Sequence, residues 1–152
     1  MSPSPSLSLG SFLPFRLSVA TNLVSDVIAT AYQQLFGLKI AEWRLVAVIA
    51  ETDGITQQAI GQRTRMDKVT VSRAALALIE RGLVVRVPNP DDGRSQLLSL
   101  TAEGLELYRQ VVPKALALEA RLFDGFSEDE TASLRAMLAR IEAAALEIRN
   151  EA

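Results

Sequence analysis

The sequence has no cysteine and no histidine. Disulfides, thiolate zinc sites, cysteine redox switches and every mechanism built on imidazole are thereby excluded. It also lacks a membrane-length run of about 20 apolar residues. The longest nearly uncharged stretch, Leu17 to Leu38, is interrupted by Asn22, Asp26, Gln33 and Gln34. The Ser/Pro-rich start has no basic region ahead of an apolar block, so no secretory leader is expected and the expected compartment is the cytoplasm. No phosphate-cradling glycine loop and no pairing of nucleophile with base is visible. Acid–base work would fall to Asp, Glu, Lys or Tyr alone, so an enzyme, a metal site and a cofactor are all unexpected. No repeat with a period of 20–50 residues occurs.

What is present is a chain of 152 residues with 49% apolar side chains, enough to bury a core without covalent staples. The formal charge is −2, so the chain as a whole is not a basic nucleic-acid coat. The distribution says more than the sum. Residues 61–86 carry Arg63, Arg65, Lys68, Arg73, Arg81 and Arg86 against Asp67 and Glu80, a net charge of +4, whereas residues 119–152 are net −4. A basic island in an acidic chain points to a polyanionic partner, and the acidic C-terminal third reads as a solvated face that repels DNA.

Residues 1–10 read as a flexible tail. Leu13, Leu17, Ala20, Leu23, Val24, Val27, Ala31 and Leu35 then recur at helical spacing up to Gly37, a natural C-terminal stop. With Arg16 and Asp26 as its only charges, this helix reads as buried on more than one side, against a second subunit. A second helix is expected over 41–51. Thr56 suits the N-cap of a short third helix, with Ile55 and Ile60 as a hydrophobic staple. Asp67 suits the N-cap of a fourth, which runs to Arg81 with Gly82 as its C-cap. Val84 to Val87 and Ser95 to Leu100 read as two strands around the turn-rich Pro88-Asn89-Pro90-Asp91-Asp92-Gly93. Thr101 caps a fifth helix, which Pro113 should bend or weaken. Ser127 and Glu130 form a capping box for a sixth. The fold class is therefore mainly α with a small β-hairpin wing: a winged helix-turn-helix.

On a helical wheel, Val69, Ser72, Leu76 and Ile79 fall on one side of the fourth helix and are expected to pack inward. The opposite side carries Asp67, Thr70, Val71, Ala74 and Arg81, with Lys68 and Arg73 at its borders. A helix in the major groove needs small side chains and a few hydrogen-bonding groups in its first turns. Arg63, Arg65 and Lys68 cluster near its N-terminus as backbone-facing cations. Val71 has the alternative of stapling to Met66. Arg94, at the hairpin tip, is placed to reach a neighbouring minor groove, with Asp92 expected to hold it by hydrogen bonding.

Met66-Asp67-Lys68-Val69-Thr70-Val71-Ser72-Arg73, Glu80-Arg81-Gly82-Leu83-Val84, Asp92-Gly93-Arg94-Ser95 and Leu98-Ser99-Leu100-Thr101-Ala102-Glu103-Gly104 occur in that order. Together they resemble the multiple antibiotic resistance regulator (MarR) family, and the flanking helices match in position and length. The resemblance implies a homodimeric, DNA-binding repressor that reads a pseudo-palindromic operator and is released by a small anionic aromatic ligand. It implies one domain over 11–152, with dimerisation helices at 11–38 and 102–150 and a DNA-binding lobe at 41–100. By matching positions it implies that Lys68, Thr70, Val71, Ser72 and Arg73 face or flank the groove and that Arg94 is the wing arginine; with Arg63 and Arg65 from the charge cluster, these make up the expected DNA-binding set. The family's cysteine-based peroxide sensors are excluded. Arg16 and Trp43 are candidate ligand-binding groups, since a cation and an indole suit an aromatic carboxylate; the alternatives are a core tryptophan and an interface ion pair. A winged helix used for protein contact alone is the competing reading.

Overall fold

A computed structural model describes residues 4–151. The expected flexible tail over 1–10 therefore falls partly outside the described residues; within it, Leu9–Ser11 forms one 3-10 turn. Helix α1 (Leu13–Phe36) takes Pro14 into its first turn, where a missing N–H is harmless. It stops at Gly37, whose φ of +64° lets its N–H return to the Gln33 carbonyl at 3.0 Å. Of its 24 residues only Tyr32 is buried.

Helix α2 (Ile40–Ala50) starts where the Glu42 carboxylate accepts the Lys39 N–H at 2.9 Å. Helix α3 (Gln57–Thr64) starts at Thr56, whose Oγ1 accepts the Ala59 N–H at 3.1 Å. Helix α4 (Lys68–Glu80) starts at Asp67, whose Oδ1 accepts the Thr70 N–H at 2.7 Å. The C-cap of α4 is Arg81 rather than Gly82. Gly82 follows at φ +73°, and the Leu83 N–H reaches back to the Leu78 carbonyl at 3.0 Å.

Strands β1 (Val84–Pro88) and β2 (Gln96–Leu100) pair antiparallel, Val84 opposite Leu100 and Pro88 opposite Gln96. Ile55 adds a short bridge, exchanging two backbone hydrogen bonds with Leu98 (2.8 and 3.1 Å). Helix α5 (Ala102–Leu122) is continuous through Pro113, and helix α6 (Glu128–Glu151) follows.

The chain divides into two compact units, Met1–Val112 and Pro113–Ala152, with the boundary at the proline of α5. In the first, Leu38, Leu45, Val46, Ile49, Ile60, Leu78, Val84, Leu98 and Val111 form a buried core under the winged helix. In the second, the rings of Phe123 and Phe126 meet edge to face at 5.7 Å. Ser127 and Glu130 close the expected capping box, the carboxylate accepting the Ser127 N–H and the hydroxyl accepting the Glu130 N–H. No described residue of α6 is buried.

One expected face is reversed. The inward side of α4 is Val71, Ala74, Ala75 and Leu78, while Val69 and Leu76 stand exposed at 57% and 48%. The two stripes have the same helical period and are rotated from each other. The buried one presents two alanines, which lets α4 approach its neighbours closely. A methyl of Val71 faces Gly61 of α3.

Candidate nucleic-acid interface

Helices α3 and α4 are joined by a three-residue turn, and α4 is clamped from below by its alanine-rich face. This decides which of the expected residues reach solvent. Val71, expected in the DNA-contacting set, is 1% exposed and belongs to the core. Its β-branched side chain fills the α3–α4 junction, so it is a packing residue and not a contact. Ser72 is half-buried, and its hydroxyl donates to the side-chain carbonyl of Gln57 on α3 at 3.1 Å. Thr70 is also half-buried, and its hydroxyl donates to Asp67 Oδ2 at 3.0 Å. These two hydroxyls stabilise the helix-turn-helix; what each retains for an outside group is acceptor capacity.

The side chains that stand fully outward in the first turns are Lys68, Val69 and Arg73. Arg65 lies exposed in the turn, at a φ of +60°. That is a left-handed conformation in which an arginine is uncommon. Arg63 is exposed on α3 and lies 3.9 Å from the Glu51 carboxylate, a loose surface pair. Among the described residues, no ion pair ties Arg65, Lys68, Arg73 or Arg94 to a carboxylate.

The Asp67 carboxyl is held below its ordinary value, first by the Thr70 backbone N–H and then by the Thr70 hydroxyl. It therefore caps α4 as an anion at neutral pH.

At the wing tip Arg94 is exposed. The expected hydrogen bond between Asp92 and Arg94 is made through the backbone and not the guanidinium: the Asp92 carboxylate accepts the Arg94 N–H at 3.0 Å. Asn89 completes the turn by accepting the Asp91 N–H and donating to the Ser95 hydroxyl. The acidic residue thus shapes the loop and leaves the guanidinium unengaged.

Away from this face, the ring of Trp43 lies between two tyrosines. It meets Tyr32 edge to face at 5.8 Å and stacks on Tyr108 at 5.9 Å and 19°. Burial raises the Tyr32 phenol above its ordinary pKa. Arg16, the other candidate ligand-binding group, lies away from Trp43 within one chain. It precedes Tyr32 by 16 positions on α1, roughly 24 Å along a helix, and its guanidinium donates to the Gly10 carbonyl. Sequence reasoning missed Val69 as an outward group, and it missed Arg81, whose guanidinium donates to the carbonyls of Phe36 (3.3 Å) and Gly37 (3.2 Å) at the end of α1. Contacts spanning 44 and 45 positions leave no local sequence signal.

A helix-turn-helix followed at once by a two-stranded wing, with long helices before and after it, defines the winged-helix class of transcriptional regulators. The MarR family model matches residues 36–95. A MarR/EmrR family transcriptional regulator from Acinetobacter sp. ADP1 superposes with a TM-score of 0.85 at 26% identity, over 93% of this chain and 99% of that one. CouR from Rhodococcus jostii RHA1, solved bound to p-coumaroyl-CoA, superposes with a TM-score of 0.81 at 26% identity, over 90% and 95%. An uncharacterised HTH-type transcriptional regulator of Bacillus cereus is 24% identical over 88% of this chain and 89% of its own length. Over residues 36–95 the chain is thus similar to the MarR family of transcriptional regulators, and its fold is that of the solved MarR-family regulators.

Proposed function

We propose that this regulator is a homodimer that binds double-stranded DNA at a pseudo-palindromic site as a repressor and lets go when a small aromatic acid binds. One observation carries the DNA part. The outward side of α4 and the wing tip present Lys68, Arg73 and Arg94 to solvent, with Arg65 beside them, in a chain whose net charge is −2. Cations concentrated there and diluted elsewhere fit phosphate neutralisation, which supplies most of the affinity of such complexes. Arg63, Lys68, Arg73 and Arg94 take backbone-facing roles in this reading, and Thr70 and Ser72 stay at its edge as acceptors.

Dimerisation is supported by apolar surface that a lone chain leaves wet. On α1, Leu13, Leu23 and Val27 are exposed; on α6, Met137, Leu138, Ile141 and Ile148 are. Exposed apolar stripes along two helices of 24 residues each are the mark of an interface. The ligand part rests on the half-exposed stack of Trp43 and Tyr108 and on the aromatic acyl thioester bound by the similar CouR. A planar aromatic acid would extend that stack, while its carboxylate needs a cation other than the same chain's Arg16.

The test combines sedimentation with binding titrations on genomic fragments at several salt concentrations. A dimer whose affinity falls steeply with salt, and falls again on adding an aromatic acid, is expected. A monomer at micromolar concentration, or salt-independent binding, overturns the reading, the latter in favour of a winged helix that contacts protein.

A further inference from the structure

The first two turns of α4 carry three side chains that stand fully outward: two cations and one valine. Lys68 and Arg73 flank Val69, which is 57% exposed on the first turn. The neighbours that ordinarily read base edges are occupied. The Thr70 hydroxyl donates to Asp67, the Ser72 hydroxyl donates to Gln57, and Val71 is in the core. The outward apolar stripe continues seven residues on with Leu76, 48% exposed; seven residues are about two helical turns, so both lie on the same side.

An apolar group set between cations on a groove-facing helix has one apolar partner among the base edges of the major groove, the C5-methyl of thymine. The cations bring the phosphates to either side, which fixes the helix at the depth where the valine meets the bases. We infer that Val69 is a specificity-determining residue that reads a thymine methyl in each half-site. The inference rests on the DNA-binding reading above and adds the base preference to it. It makes the selectivity of the fourth helix depend on van der Waals contact more than on hydroxyl donors.

The experiment uses the full chain and a duplex selected by it from a random library. Each thymine of the half-site is replaced in turn by deoxyuridine, which deletes the methyl and keeps every hydrogen bond. Wild-type protein should lose roughly fourfold in affinity at one position per half-site, the worth of one buried methyl group, and roughly the square of that when both half-sites are changed. Val69→Ala should bind the thymine and uracil duplexes alike, and because the residue is exposed its fold should survive, as checked by thermal melting. If the wild type prefers the selected duplex yet is indifferent to uracil at every position, methyl reading is overturned and DNA binding stands. If Val69→Ala keeps the discrimination, another residue reads the methyl and the assignment to Val69 falls. If no duplex is preferred at all, sequence reading and this inference fail together.

Discussion

Gly104, in the first turn of α5, lies directly against the backbone carbonyl of Leu83, the residue that leads into the wing. A methyl group added at Gly104 would overlap that carbonyl oxygen, which is backbone and has nowhere to go. The same carbonyl accepts the Thr101 N–H at 3.1 Å, and the Thr101 hydroxyl donates to Gly82 at 2.6 Å while accepting from the Gly104 N–H at 3.1 Å. The exit of the wing, the end of α4 and the start of α5 are thus locked together through Gly82, Leu83, Thr101 and Gly104. Gly104→Ala should destabilise the chain by about 1–3 kcal/mol through overpacking. A thermal unfolding midpoint several degrees below the parent checks this; an unchanged midpoint contradicts it.

Asp67 gives α4 a pH-dependent start. Its carboxyl is held below the ordinary 3.8 by the N–H and hydroxyl of Thr70, so the cap contributes fully above that ordinary value. The contribution is lost as the pH falls through the depressed native value, because protonation removes the acceptor charge. Asp67→Ala should lower the unfolding midpoint at neutral pH. The gap between parent and variant should stay constant down to about pH 5 and close only in stronger acid. A gap independent of pH down to about pH 2 would mean that the charge contributes nothing.

Much of this fold is legible in the chain because it is written in local chemistry. Thr56, Asp67 and Ser127 each cap the helix their side chains announce, and the run from Pro88 to Gly93 turns the hairpin. The rotation of α4 is not legible. The stripes 69/72/76/79 and 71/74/75/78 are both periodic, and the first has the larger apolar side chains. Tertiary fit selected the second, since Ala74 and Ala75 admit close packing where Leu76 does not. The one local hint is Gly61, which leaves room for Val71. The same limit applies to the candidate interface. Its cations are visible as a charge cluster, whereas the hydrogen bonds that occupy Thr70 and Ser72 depend on which way the helix faces.

Arg65 holds a left-handed conformation between α3 and α4. For a residue with a Cβ this costs about 1–2 kcal/mol, and glycine would relieve it at its own entropic cost of roughly 0.5–1 kcal/mol. Arg65→Gly should therefore leave stability unchanged or raise it by at most about 1.5 kcal/mol. The same change removes an exposed cation from the turn that leads into α4. DNA affinity should fall while the unfolding midpoint does not. A variant that loses both together would show that the arginine serves the fold and not the interface.

The wing separates charge from loop shape, because Asp92 holds the Arg94 backbone and not its guanidinium. Removing one cation that neutralises a phosphate lowers the dependence of log affinity on log salt by about 0.9. If the guanidinium neutralises one phosphate per subunit, Arg94→Ala in a dimer should weaken binding to every duplex by a similar factor and reduce the salt slope by roughly 2. Asp92→Ala should loosen the turn and weaken binding with the salt slope unchanged, since it takes away an ordering hydrogen bond and no cation. Titrations at several salt concentrations distinguish the two. Identical slopes for parent and Arg94→Ala would place the wing tip away from the phosphates, leaving the cations around α4 to carry the electrostatic part alone.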